Sequence, residues 1–302
     1  MSHIQRVLVP GALGILFVIL CQKVLKANQT GEPQDHKFYA RGGYAGQATP
    51  PAPDDPSAGK TPWQTRIMAD MEAFKKENNK DYQALMELRP RITRSRSLKF
   101  IDARLAHPRA ASVLLYRLMN DNAKPEVREA LVAAISQSSG EYADAMLDLM
   151  AKEPAAAVRA RMVSVLRHAD EQATLQGLQL GFKDPSPLVR AAAARTIGKL
   201  EKNPQLSNLL MTNLKDQDST VQIAAIQSAR ILKLSEASGT LEALLSSSNP
   251  SVRLESLYAI GQLAPDVLGR VPNLEKDADH KVSSAAIRLR HEAGFRGPPP
   301  LK

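Results

Sequence analysis

Aromatic residues make up only 4% of this 302-residue chain, and there is a single tryptophan, Trp63. Strands favour aromatic and β-branched side chains, so this scarcity argues against an all-β sandwich. One cysteine, Cys21, excludes an intrachain disulfide and any CxxC zinc site. The histidines are His3, His36, His107, His168, His280 and His291, and no two have the i, i+4 spacing of a helical metal site. There is no HExxH, no GxSxG and no phosphate loop of the form GxxxxGKS/T. A catalytic site needs a nucleophile, base or metal set held together. None is written here, and no cofactor is called for.

What is present suffices for a large core. Hydrophobic residues are 43% and charged residues 24%, with alanine and leucine carrying the apolar share. This excludes a collagen-like or wholly disordered chain, and the length allows about two average domains. The net charge is +9, of which +6 falls in residues 1–100. Five cations form one run, Arg89, Arg91, Arg94, Arg96 and Lys99. That run reads as a solvated loop and helix start, or as a docking patch for an acidic partner or anionic head groups.

Val7 to Cys21 carries no charge and is flanked by Arg6, Lys23 and Lys26. Fifteen residues are few for a membrane span, which needs about 20, but the apolar pair Val24–Leu25 and snorkelling lysines extend the segment. The best cleavage position, Ala27, comes after Lys26 and a large Leu25, so residues 1–27 read as an uncleaved signal-anchor or transmembrane segment. Charge counting leaves its orientation open. N-terminal segments of this kind usually export the rest of the chain, and a body without cysteine suits an oxidising compartment. The expected location is a bacterial cell envelope, with the body outside the cytoplasm. Residues 28–62, rich in proline and glycine, read as a flexible linker.

Helical periodicity starts after Pro62. Trp63, Ile67, Met71 and Phe74 recur at 4, 4 and 3 and predict one buried helix face. Shorter helices are predicted over Asp81–Leu88 and from about Arg94 to Ala106, which makes 63–106 a helical lead-in.

From 107 to 294 the chain repeats itself. Val127, Val158, Val189, Val221, Val252 and Val282 are separated by 31, 31, 32, 31 and 30 residues, and the letters around each valine correspond. A period of this length means a solenoid. In each unit an apolar stretch forms a first helix, a turn bearing Asp, Asn or Pro comes next, and a second helix begins near the valine. Counted from the valine, positions 0, +4, +8 and +11 fall within about 80° of one another, giving one core face per second helix. The expected fold is all-α, a right-handed solenoid of about six helix pairs. Arg288, Arg290 and His291 make the last unit a polar cap, and residues 295–302 form a tail.

The turn and the pairs Val127-Arg128, Val158-Arg159, Val189-Arg190 and Val252-Arg253 resemble the HEAT repeat family, especially its short bacterial kind, also found in phycobilin lyases. Val221-Gln222 and Val282-Ser283 depart from the pattern. The resemblance implies that these arginines tie the helix start to the inter-repeat turn. It is specific for fold and nearly silent on activity. It also implies that second helices line a concave face. Arg161, Arg167, Arg195, Lys199, Arg230 and Arg288 point outward from those helices, with Tyr258 at the helical phase of Arg195 and Arg288 as an aromatic anchor. Glu141, Asp144, Asp148, Glu171 and Glu242 on the first helices make the other face acidic. A concave basic groove focuses its field on an acidic protein segment or another polyanion.

The expected function is therefore a non-enzymatic scaffold that binds a protein partner at the envelope. The alternatives are a lyase-like enzyme, whose residue set is not identifiable here, and a HEAT-like DNA glycosylase or other nucleic-acid binder. The lack of tryptophan in the array argues against the latter. Nothing in the sequence marks a small-molecule ligand.

Overall fold

The computed structural model describes residues 59–89, 103–120, 123–270 and 274–295. They all belong to one unit of the chain, Pro56–Lys302. The expectations for the anchor at 1–27, for nearly all of the linker, for the basic run after Arg89 and for the tail after Phe295 lie outside the described residues. Among the described residues no helix is long and apolar enough to cross a membrane, and there is no strand.

Helix α1 (Pro62–Glu77) starts with proline in its first turn, and Gln64 Oε1 accepts from the Thr61 N–H at 2.8 Å. It buries Trp63, Ile67, Met71 and Phe74, the face the spacing predicts. Asn78 then caps α2 (Asn79–Glu87), its side chain accepting from Asp81 N at 3.1 Å. Polar bonds fasten this lead-in to the first repeat. Ser112 Oγ donates to Asp70 Oδ2 at 2.6 Å, and Arg117 Nη1 donates to Leu85 O at 3.0 Å and to Leu88 O. Phe74 stacks on His107, with ring centroids 3.7 Å apart. Of the helix expected over 94–106, the described part is a 3-10 turn, Ala103–Ala106.

Five helix pairs come next. They are α3 (Ala110–Asn120) with α4 (Pro125–Ile135), α5 (Ala143–Lys152) with α6 (Ala156–Leu166), and α7 (Glu171–Phe182) with α8 (Pro187–Ile197). Then come α9 (Pro204–Asn213) with α10 (Ser219–Ile231), and α11 (Ser238–Leu244) with α12 (Pro250–Leu263). The sixth unit differs from the expected pair. Two 3-10 turns, Pro265–Gly269 and Leu274–Lys276, stand before α13 (His280–Glu292) in place of a first helix.

Second helices pack on second helices along the array, far more extensively than first helices pack on each other. The second-helix layer is thus the continuous core. Its helices are also buried over more than one face: in α8, Val189 to Ala194 are all buried, with Thr196 and Ile197. One core stripe is too narrow a description, because each inner second helix is covered by its own first helix and by second helices on both sides. The residue five after the repeat valine records this covering. Val132, Val163, Ala194, Ile226 and Leu257 are buried, whereas Ile287 in the last unit is 55% exposed. Glycines permit the closest approaches. A Cβ on Gly181 would lie 3.0 Å from Ala193 Cβ, and one on Gly198 would lie 2.7 Å from Ser228 Oγ.

Candidate functional site

A solenoid of this composition presents many cations, and the structure separates those that hold repeats together from those that do not. Arg159 donates through Nε and Nη2 to the two carboxylate oxygens of Asp184, at 2.7 and 2.8 Å. Arg190 grips Asp216 in the same fork at 2.8 and 3.0 Å, and Arg253 grips Asp277 at 2.8 and 2.6 Å. Arg128 reaches Glu153 through Nε at 3.0 Å and through Nη2. The partner acid sits on the turn of the next repeat. The remaining nitrogen turns back to the arginine's own turn. Arg159 Nη1 donates to Glu153 O and Pro154 O, Arg190 Nη1 to Asp184 O and Pro185 O, and Arg253 Nη1 to Ser247 O and Ser248 O. A planar fork with a spare donor is what this geometry demands, and lysine could not supply it.

Each acid also accepts from the backbone two residues on: Asp184 from Ser186 N, Asp216 from Asp218 N and Asp277 from Asp279 N, at 2.8 to 2.9 Å. Burial alone would raise the pKa of Asp184 and Asp216. Hydrogen bonds from Arg159 and Arg190, the backbone N–H groups and the arginine charges outweigh it and hold both carboxyls below the usual aspartate range. The Arg253 hydrogen bond does the same for Asp277 against a smaller opposing burial. The Val-Arg arginines are therefore structural, and the sequence reading missed their acidic partners. Those acids look like ordinary turn residues, but a carboxylate 24 to 26 residues after each arginine was the available signal.

The sequence-predicted site residues divide into three groups. Arg161 is engaged with Glu129 of the preceding repeat at 3.0 Å, both side chains largely buried. It ties α6 to α4, because the stacking of adjacent repeats brings Glu129 against it. Lys199 lies near Arg167, Arg195 and Arg161. Partial desolvation, then the like charges of those arginines, push its pKa below that of ordinary lysine. Arg167, Arg195 and Lys199 thus converge near the C-terminal ends of α6 and α8, where partial negative charge of the helix ends favours cations. Further along, Arg288 lies over the Tyr258 ring, 5.7 Å from its centroid, with Glu292 Oε1 at 3.9 Å from Arg288 Nε. Arg230 has a buried Nε without a hydrogen-bond partner. The acids expected to make the first helices one negative face are in part paired: Glu141 with Arg66, Asp148 with Lys152 and Glu242 with Arg270.

Beside the converging cations lies a cleft of about 440 Å³ between the loops that succeed α6 and α8. Leu175, Leu200 and Leu206 contribute apolar surface, and Arg167, Lys202 and Glu171 stand among its polar lining. Lys202 also reaches Glu236 at 3.4 Å.

Residues 143–230 match the family of HEAT repeats. The match covers α5 to α10, the second to fourth repeats, and the flanking pairs continue the same helix–turn–helix arrangement. No match to the chain was found among curated proteins.

Proposed function

Taking the HEAT repeats as premise, we propose that this chain is a non-enzymatic scaffold that binds an acidic segment of a protein partner along its second helices. HEAT repeats generally mediate protein–protein interaction. The nearness of Arg167, Arg195 and Lys199, with Arg167 lining a cleft of mixed polar and apolar character, carries the rest of the reading. An acidic segment is drawn to a surface that carries several cations, while its apolar side chains meet Leu175, Leu200 and Leu206 in the cleft. Arg230, Tyr258 and Arg288 extend the surface toward the C-terminal repeats. The array is held at a bacterial cell envelope by the apolar segment at 7–21, with 28–62 as tether and the body outside the cytoplasm.

The test uses envelope extract and the full chain, compared with a variant carrying Arg167→Glu, Arg195→Glu and Lys199→Glu. The variant is expected to lose the partners that wild type retains, and binding by wild type should weaken as salt rises. Unchanged capture by a folded variant rejects this face. Fractionation with and without residues 1–27 tests the tether, which fails if the full-length chain is recovered free of membranes.

A further inference from the structure

The arginine–acid ladder has one gap. Repeats one to two, two to three, three to four and five to six are each joined by a rung: Arg128–Glu153, Arg159–Asp184, Arg190–Asp216 and Arg253–Asp277. Between the fourth and fifth repeats both halves are missing together. Gln222 stands where the arginine belongs, directly after Val221. Twenty-five residues on, Ser247 stands where the acid belongs. The register is fixed by the backbone bonds. Ser247 Oγ accepts from Asn249 N at 3.2 Å, the role that Asp184, Asp216 and Asp277 play on their turns. Ser247 and Ser248 also offer their carbonyls to Arg253 as Asp184 and Pro185 do to Arg190. Neither half is left as an unpaired charge, so the gap is structurally clean.

Other features gather at the same place. The chain leaves α10 through Lys233, whose φ of 52° is the only positive value outside glycine among the described residues. It enters the fifth repeat through a 3-10 turn, Ser235–Ala237, and α11 has only 7 residues. Just across the junction, Ser256 is fully buried with its hydroxyl unpartnered. In a one-dimensional array each interface contributes its own stability, so an interface that lacks its rung opens more readily than it would with one.

We infer that the junction between the fourth and fifth repeats is the joint of the array, at which repeats one to four and five to six flex as two blocks. The missing rung is what sets it. This inference stands on the ladder and does not depend on the proposed partner.

Hydrogen exchange on the full chain tests it. In wild type, amides of 232–249 are expected to exchange about tenfold faster than those of the corresponding stretch 200–218. The double variant Gln222→Arg with Ser247→Asp supplies the absent rung and is expected to remove most of that difference, leaving 143–186 unchanged. The converse variant, Arg190→Gln with Asp216→Ser, copies the gap to the preceding junction and is expected to speed exchange over 200–218. Equal exchange at both junctions in wild type overturns the inference. So does a folded double variant that exchanges as fast as wild type at 232–249, or a converse variant with no change over 200–218.

Discussion

Asp216 holds three bonds at once, two from the Arg190 fork and one from the Asp218 N–H. Replacing it with asparagine leaves a mostly buried guanidinium without its counter-charge and is expected to cost about 3 kcal/mol at neutral pH. The pH dependence has a definite sign. A carboxyl whose folded-state pKa is depressed stabilises fully above its unfolded value, near 4. That stabilisation is lost as pH falls through the lower folded-state value. The deficit of Asp216→Asn should therefore shrink between about pH 4 and the acid limit of folding, because wild type becomes protonated at the same site. Urea midpoints at neutral and acid pH check this. Ser256 predicts the opposite sign. It is buried with its hydroxyl unpartnered, at the position where the third, fourth and sixth repeats have Ala193, Ala225 and Ala286. Ser256→Ala is expected to stabilise the chain by about 1 kcal/mol, read as a higher melting temperature.

Helices in this array meet where side chains are smallest. A Cβ on Gly198 would meet Ser228 Oγ at 2.7 Å and its Cα at 3.2 Å, and that hydroxyl is already bonded to Ala194 O at 2.8 Å. Gly198→Ala must push α10 away from α8 and is expected to cost about 1–3 kcal/mol as overpacking. Ile197→Ala, one residue earlier and fully buried, fails the other way, by transfer and cavity terms of about 2–5 kcal/mol. Chemical denaturation of both variants separates these from surface changes. The buried face of α1 and the near-equal spacing of the six valines were legible in the sequence, because local periodicity writes them directly. The all-round burial of α8 was not, since a hydrophobic stripe records one covered side while neighbouring repeats cover the others. The tie from Arg161 to Glu129 was hidden for the same reason: Glu129 lies 32 residues away in sequence and reaches it only once α4 and α6 stack. The sixth first helix was expected from the period alone, which fixes the length of a unit and not the conformation within it.

At the scale of the whole array, the two ends report separately. Trp63, the only tryptophan, is buried on α1, the first described helix, so its fluorescence tracks the N-terminal end of the array. Circular dichroism tracks every helix. Leu257→Ala in α12 removes a fully buried side chain from the fifth repeat. It is expected to move part of the dichroism transition to lower urea while the Trp63 transition stays in place, since nearest-neighbour stability need not be shared across the array. Coincident shifts of both signals would show one cooperative unit instead. The arginine–acid rungs carry a different consequence, for how such a protein changes length over generations. A duplicated third repeat brings its own Asp184 for the arginine upstream and its own Arg190 for the acid downstream, so it fits wherever a rung already stands. Gene duplication can thus lengthen this molecule from within, at any junction whose rung is in place.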